Sequence, residues 1–218
     1  MSDIFQEVDE EVRRDKALEF WTKYQNVVLG VAVLIVLGTA SYRFWQYRQT
    51  QAAESAGAQF QVAIRLDAQN KPDEAAAVLA RLQADAPRGY AALSRFVEAS
   101  ITLKKDPKAG IAAYDALTTD ASLDALMRDA AKLRAGLARV DAGETDAAKA
   151  ALESLTNGAY RGTARLTLAS MAISARDYAG AARRLDEVIA DVETPQADRR
   201  TAQTLQGLIA AQGGKPKS

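Results

Sequence analysis

The segment DYAGAARRLDEV, residues 177–188, joins a turn to the start of a helix. Its pattern predicts the fold of most of this chain. After the turn, the small residue Ala181 is followed by Leu185 and Val188, which occupy the i+4 and i+7 positions of one helical face. The two large side chains form an apolar stripe, and the small one allows a neighbouring helix to approach closely. The segment therefore predicts an amphipathic helix packed tightly against another helix.

The same arrangement recurs three times upstream. The small residues are Ala75, Gly110, Ala148 and Ala181, and the large residues four positions later are Leu79, Tyr114, Leu152 and Leu185. The third members of the stripe are Leu82, Leu117, Leu155 and Val188. A second pattern marks the helix before each turn, with large apolar residues at Phe60, Phe96, Leu133 and Leu166. Two signals with one period of about 34 residues predict a chain of helix–turn–helix units.

This organisation resembles the tetratricopeptide repeat. Asp177-Tyr178-x-x-Ala181, with Leu185 after it, is similar to the turn and second helix of that family's consensus, although no Trp opens the first helices. The family's closing Pro is clear only at Pro87 and Pro195. We expect an all-α fold in which four helix pairs form an α-solenoid, and a further helix covers its last exposed face. The expected pairs are 51–87, 88–124, 125–160 and 161–196, with the capping helix at 197–212 and a disordered tail at 213–218.

The stretch VVLGVAVLIVLGTA, residues 27–40, predicts a membrane anchor. The 19 residues between Lys23 and Arg43 carry no charge, and a helix of that length covers roughly the 30 Å of a bilayer's hydrocarbon core. Aromatic rings of the kind that prefer the headgroup zone flank both ends. These interface residues are Trp21, Tyr24, Tyr42 and Trp45. We expect an acidic tail at 1–23, a transmembrane helix at 24–45 and the repeat domain at 46–212.

Two other interpretations of this stretch are a buried core helix and a cleaved export signal, for which residues 38–41 offer small side chains. A signal begins with a short basic region, whereas residues 1–26 carry seven acids against four bases, which favours an uncleaved anchor. Four bases precede the span, and Arg43 and Arg48 follow it closely. The positive-inside bias therefore predicts a cytoplasmic N-terminus and an external repeat domain.

The composition excludes several kinds of chemistry. The chain has 218 residues, with 28 Lys and Arg against 28 Asp and Glu, and it contains no His and no Cys. Thiolate nucleophiles, Ser-His-Asp triads and Cys/His zinc sites are therefore excluded. Overall neutrality gives no long-range attraction to nucleic acid. We expect no catalytic residue, metal, cofactor, small-molecule substrate or nucleic-acid partner.

Three bases recur at one position of the repeat, directly before the large apolar residue of the first helix. These are Arg95, Lys132 and Arg165. On a concave face they would supply positive charge to bind a carboxylate or an acidic segment of a partner. The alternative is that they are solvated surface bases.

The order of tail, anchor and repeats resembles the YfgM-type ancillary subunits of the bacterial Sec translocon. The resemblance is carried by the acidic tail, by Tyr42-Arg43-Phe44-Trp45 at the end of the span, by Gly89-Tyr90-Ala91-Ala92-Leu93 and by residues 133–140. It implies a single-pass protein of the bacterial inner membrane whose repeat domain lies in the periplasm. The partners it implies are translocon subunits, a periplasmic chaperone and client polypeptides. Alternatives are an envelope scaffold for cell division or outer-membrane assembly, a cytoplasmic adaptor, and a hydrolase that depends on carboxylates or Lys.

Overall fold

A computed structural model describes the backbone of residues 3–211 and, within that range, the side chains of residue 14 and of residues 18–211. All regular secondary structure in this part of the chain is helical, which confirms the all-α prediction. The helices are α1 (Asp3–Ala68), α2 (Pro72–Asp85), α3 (Arg88–Lys105), α4 (Pro107–Thr118), α5 (Ala125–Asp141), α6 (Thr145–Glu153), α7 (Arg161–Ser174), α8 (Tyr178–Ala190) and α9 (Gln196–Ala211). The predicted disordered tail, 213–218, lies outside the described residues.

The chain divides into two compact units, residues 1–55 and residues 56–218. In the second unit, each helix from α2 onward packs against the next, α5 also contacts α7, and α7 also contacts α9. The end of α1 joins this stack through Ala63, which is buried with Ala75, Leu79 and Ile101 of the next two helices. The predicted α-solenoid of four helix pairs with a capping helix is therefore confirmed.

The side chains of the repeated pattern form the interior of the solenoid. Ala75, Ala148 and Ala181 are completely buried. The large residues four positions later are buried in all four pairs, and so are the third members of each stripe. A stripe of this kind stabilises each helix mainly through burial of apolar surface against its neighbours. The period in the sequence therefore corresponds to one buried layer per helix pair.

Gly110 allows α4 to approach the backbone of α3 very closely. A Cβ atom added to Gly110 would lie 2.6 Å from the backbone nitrogen of Leu103 and 2.5 Å from its Cβ. Only hydrogen fits at this distance, so the second pair has glycine where the other three have alanine. The small residue of the repeat thus sets how closely the paired helices approach.

Three of the four turns inside the pairs share one backbone geometry. Asn70, Gly143 and Arg176 lie five residues before the small residue and have φ angles of 61°, 77° and 59°. This left-handed conformation closes the first helix, since the amides of Asn70 and Lys71 bond carbonyls of its last turn. The second pair instead turns at Asp106, whose carboxylate accepts a hydrogen bond from the amide of Ala109.

The last helix, α9, covers the final face of the stack. Ala202 and Ile209 are buried in one apolar cluster with Leu185 and Val188 of α8. The opposite side of α9 is exposed and mostly polar, as its sequence QADRRTAQTLQGLIAA indicates. A terminal helix with one apolar and one polar face is what a solenoid needs to end in water.

In the first unit, α1 is helical from Asp3 through Ser55 without a break. The sequence offers no Pro in this range, and its residues after the apolar stretch are mostly good helix formers. The helix therefore runs through both expected ends of the span, at 24 and 45. These two boundaries, and the expected limits of the tail and the repeat domain, stay predictions.

Candidate functional site

The apolar part of α1 is a continuous exposed surface. Among the described residues, one helix is long and apolar enough to cross a membrane, with a mean hydropathy of 2.0 over an 18-residue window that has no buried residue. Leu29 and Leu34 expose 66% and 70% of their surface. A core helix of a soluble protein would be covered at such positions, because exposed apolar area of this extent is unfavourable in water.

The four predicted interface residues are placed at the two ends of this surface. Trp21, Tyr24, Tyr42 and Trp45 are all exposed. The Tyr24 ring contacts the Phe20 ring at a tilt of 45°, with centroids 4.6 Å apart, and Tyr42 contacts Trp45 with centroids 6.4 Å apart. The helical rise of about 1.5 Å per residue separates Tyr24 from Tyr42 by roughly 27 Å. This spacing is close to the thickness of a bilayer core, about 30 Å.

In the repeat unit, the first of the three predicted partner-binding bases is engaged within its own helix pair. The Arg95 guanidinium forms an ion pair with Asp120 and donates a 3.1 Å hydrogen bond to the hydroxyl of Ser122. Asp120 and Ser122 lie in the segment that leads from α4 to α5. Arg95 therefore links α3, the first helix of its pair, to the segment that leads into the next pair.

Arg165 occupies the same repeat position and has the same kind of partner. It lies 3.5 Å from carboxylate oxygens of both Asp191 and Glu187. Asp191 follows α8 directly, and it stands ten residues after the small residue of its pair, as Asp120 does. The first-helix base and this acid define an ion pair, which we call the closing ion pair, that occurs in the second and fourth helix pairs.

Lys132, the third predicted base, has no closing ion pair. The position ten residues after Ala148 is Gly158, which has no side chain to offer. Lys132 is half-buried and forms no ion pair with the described residues. The structure therefore places two of the three bases in internal contacts and leaves one with its charge uncompensated by a described acid.

The carboxylate of Asp191 pairs with two arginines, Arg161 and Arg165. Arg161 donates to this carboxylate from Nε at 2.6 Å, and Arg161 also pairs with Glu193. The hydrogen bond from Arg161 is the main cause that lowers the pKa of Asp191 from its ordinary 3.8 to about 2, with further help from the amide of Glu193. In the second pair, hydrogen bonds from Ser122 lower the pKa of Asp120. Both acids stay ionised at neutral pH, as the closing ion pairs require.

The repeat unit is expected to lose stability in acid through Asp191. Its pKa is about 2 in the folded chain and 3.8 ordinarily, so its contribution is complete above pH 4 and is lost as the pH falls toward 2. The denaturant concentration at the unfolding midpoint, measured from pH 7 to pH 2, should decrease between pH 4 and pH 2. Asp191→Asn should lower the midpoint at pH 7 and flatten the decline below pH 4. An unchanged decline in this variant would contradict the assignment.

A shallow groove of about 440 Å³ lies along the first helices of the third and fourth pairs. It is lined by Val140, Thr145, Thr167, Ser170, Met171, Ser174 and Ala175. Thr167, Ser170 and Ser174 each donate their hydroxyl hydrogen to a carbonyl one turn earlier in α7. The groove thus presents methyl and methylene groups, hydroxyl oxygens that can still accept a hydrogen bond, and no charged side chain. The charged residues that mark a binding candidate in the sequence are absent from its lining, so the sequence does not predict this groove.

The family comparison agrees with this architecture. The model of the Tetratricopeptide repeat-like domain matches residues 18–165, which is more than half of the chain. The chain belongs to the tetratricopeptide repeat-like domain family. No curated protein and no solved structure matched the chain.

The matched range includes the exposed apolar part of α1 as well as three helix pairs. Tetratricopeptide repeat-like domains are typically protein-interaction scaffolds, so the family indicates an interaction module. Within the described residues, no group of three or more acids is arranged to hold a metal ion. The candidate site therefore consists of two surfaces, the apolar part of α1 and the groove of the repeat unit.

Proposed function

We propose that this protein is a membrane-tethered interaction module of the bacterial inner membrane, with its repeat unit in the periplasm. The observation that carries the proposal is an uncovered apolar helix in the same chain as a tetratricopeptide repeat-like solenoid. The helix supplies an anchor, residues 24–45, and the solenoid supplies a surface for protein partners. A tether raises the effective concentration of such a surface near its target to as much as about the millimolar range, so weak contacts suffice.

The orientation rests on the Lys and Arg residues at the two ends of the span. Arg13, Arg14, Lys16 and Lys23 precede it, and Arg43 and Arg48 are the near bases after it. The larger number favours the cytoplasmic side for the N-terminus. Protease added to intact spheroplasts should degrade the repeat unit and leave a short membrane-protected fragment. Protection of the repeat unit until lysis would instead favour a cytoplasmic adaptor.

For partners, we propose Sec translocon subunits, a periplasmic chaperone and emerging client polypeptides. The support is the resemblance of tail, span and repeats to the YfgM-type subunits, together with the absence of His and Cys from the chain. A handover role needs a surface near the channel exit and no chemistry of its own. Crosslinking followed by copurification should recover translocon components. Recovery of only cell-division or outer-membrane assembly proteins would favour the envelope scaffold.

Among the three recurring bases, we propose Lys132 as the one available to an acidic partner segment. Arg95 and Arg165 are already neutralised by Asp120 and Asp191. Lys132→Glu should therefore reduce partner capture several-fold without lowering the unfolding midpoint, because it breaks no described ion pair. Arg165→Glu is the matched comparison, since it should lower the midpoint by placing a third acid beside Glu187 and Asp191. Unchanged capture by Lys132→Glu would remove this residue from the binding surface.

A further inference from the structure

The third helix pair ends in a second helix that is shorter than those of the other pairs. The second helix of the third pair, α6, has nine residues, whereas α2, α4 and α8 have 14, 12 and 13. Seven residues, 154–160, then lead to α7, and turn hydrogen bonds between near neighbours hold them. The shorter helix offers less surface to α7 than the other second helices offer to their successors.

This connection also lacks the closing ion pair. In the second and fourth pairs, Arg95 and Arg165 tie the first helix to Asp120 and Asp191 in the segment that leaves the pair. In the third pair, the corresponding positions are Lys132 and Gly158. The first pair continues through only two residues, Ala86 and Pro87, of which the proline restricts the backbone. The third connection therefore has neither a side-chain tie of this kind nor a short restricted link.

Open space flanks the contact between α6 and α7. A cleft of about 470 Å³ lies between the start of α6, the second half of α7 and the exposed side of α8 as far as Glu187. The 440 Å³ groove lies beside it, and Thr145, Met171 and Ala175 line both. These three residues form a thin partition between the cleft and the groove. The start of α6 and the end of α7 therefore have few neighbouring side chains to pack against.

The other end of the same junction is well packed. Leu152 and Leu155 are completely or almost completely buried, in one cluster with Leu133, Ala164 and Leu168. Arg184 of α8, which also lines the 470 Å³ cleft, forms an ion pair with Glu153 at the end of α6. A buried cluster at one end of a junction and an open cleft at the other give a pivot and a space to move into.

From these observations we propose that the junction between the third and fourth pairs is a hinge. The fourth pair and α9 rotate as one body about the Leu152 and Leu155 cluster, and the 470 Å³ cleft opens and closes. Since the fourth pair carries most of the apolar groove, while Val140 of α5 and Thr145 of α6 carry the rest, the rotation changes the width of this groove. The proposal does not depend on which partner binds, or on the membrane side that the repeat unit faces.

Distances between spin labels test the hinge directly, because the chain has no cysteine of its own. Lys108, Asp146 and Ala179 are exposed, and each lies two residues before the small residue of its second helix. The pair Asp146→Cys with Ala179→Cys spans the proposed hinge, and Lys108→Cys with Asp146→Cys spans the preceding junction. The full chain in nanodiscs should give a distance distribution about twice as wide across the hinge as across the control. Equal widths at the two junctions would overturn the proposal.

A second variant tests the part played by the closing ion pair. Asp120→Asn removes the acid that pairs with Arg95, so the control distribution should broaden toward that of the hinge. The Asp146–Ala179 distribution should stay unchanged in this variant, because Asp120 lies outside that junction. If Asp120→Asn leaves the control distribution narrow, closing ion pairs do not set the stiffness of the solenoid.

Discussion

Replacing Gly110 with Ala is expected to destabilise the repeat unit by about 2–3 kcal/mol, since the added Cβ meets backbone atoms that can move aside only if the two helices separate. The added Cβ would lie 2.6 Å from the backbone nitrogen of Leu103, so α3 and α4 would have to separate. Tyr114 and Leu117 on the same helix would then lose part of their burial. Urea unfolding of the full chain in mild detergent, followed by circular dichroism at 222 nm, should show a lower midpoint.

Gly207→Ala is the matched control for this substitution. Gly207 lies within α9, and an added Cβ there would have no atom within 4 Å. The exchange should stabilise α9 by up to about 1 kcal/mol, because alanine has the higher helix propensity. Equal effects of the two glycine substitutions would contradict the close approach of α3 and α4.

Placing two arginines in the apolar part of α1 is expected to release the protein from the membrane. Leu34 and Val36 lie near the centre of the span and are 70% and 65% exposed. Each arginine costs about 3 kcal/mol at the centre of a spanning helix, so the double variant opposes insertion by roughly 6 kcal/mol. Carbonate extraction and membrane flotation should move the Leu34→Arg, Val36→Arg protein out of the membrane fraction.

The control for the anchor variant places the same charges outside the span. Gln49→Arg with Gln51→Arg changes exposed positions of α1 beyond Trp45. This variant should stay in the membrane fraction, since its charges lie in water or among headgroups. If the Leu34→Arg, Val36→Arg protein also stays there, the apolar stretch is not what holds the chain.

The fold could be predicted because one period of the sequence governs it. A small residue followed four positions later by a large one, as in Ala181 and Leu185, occurs once in each of the four helix pairs. Only a stack of helix pairs buries all of these residues. The reason that Gly110 replaces alanine could not be predicted, since it depends on the distance from α4 to the backbone of Leu103. Likewise, no residue between the apolar stretch and the first repeat marks an end to α1, so the helix ends only at Ala68.

The candidate site was less predictable than the fold. The recurrence of Arg95 and Arg165 was visible in the sequence, but their acids were not recognised as partners. A signal existed, because Asp120 and Asp191 each stand ten residues after the small residue of their pair. The apolar groove carried no comparable signal, since the side chains of Ser170 and Ser174 look polar until their hydroxyls are seen to bond their own helix.

The central claim, a membrane-tethered receiver of translocated proteins, is tested most directly by photo-crosslinking in intact cells. Probes at Lys132 and Ser174 would report on the repeat surface, and a probe at Gln46, beside Trp45, would report on the membrane end. The proposal predicts crosslinks from Gln46 to translocon subunits and from the two repeat positions to a chaperone or an emerging client. Crosslinks from all three positions to division, outer-membrane assembly or cytoplasmic proteins alone would contradict it.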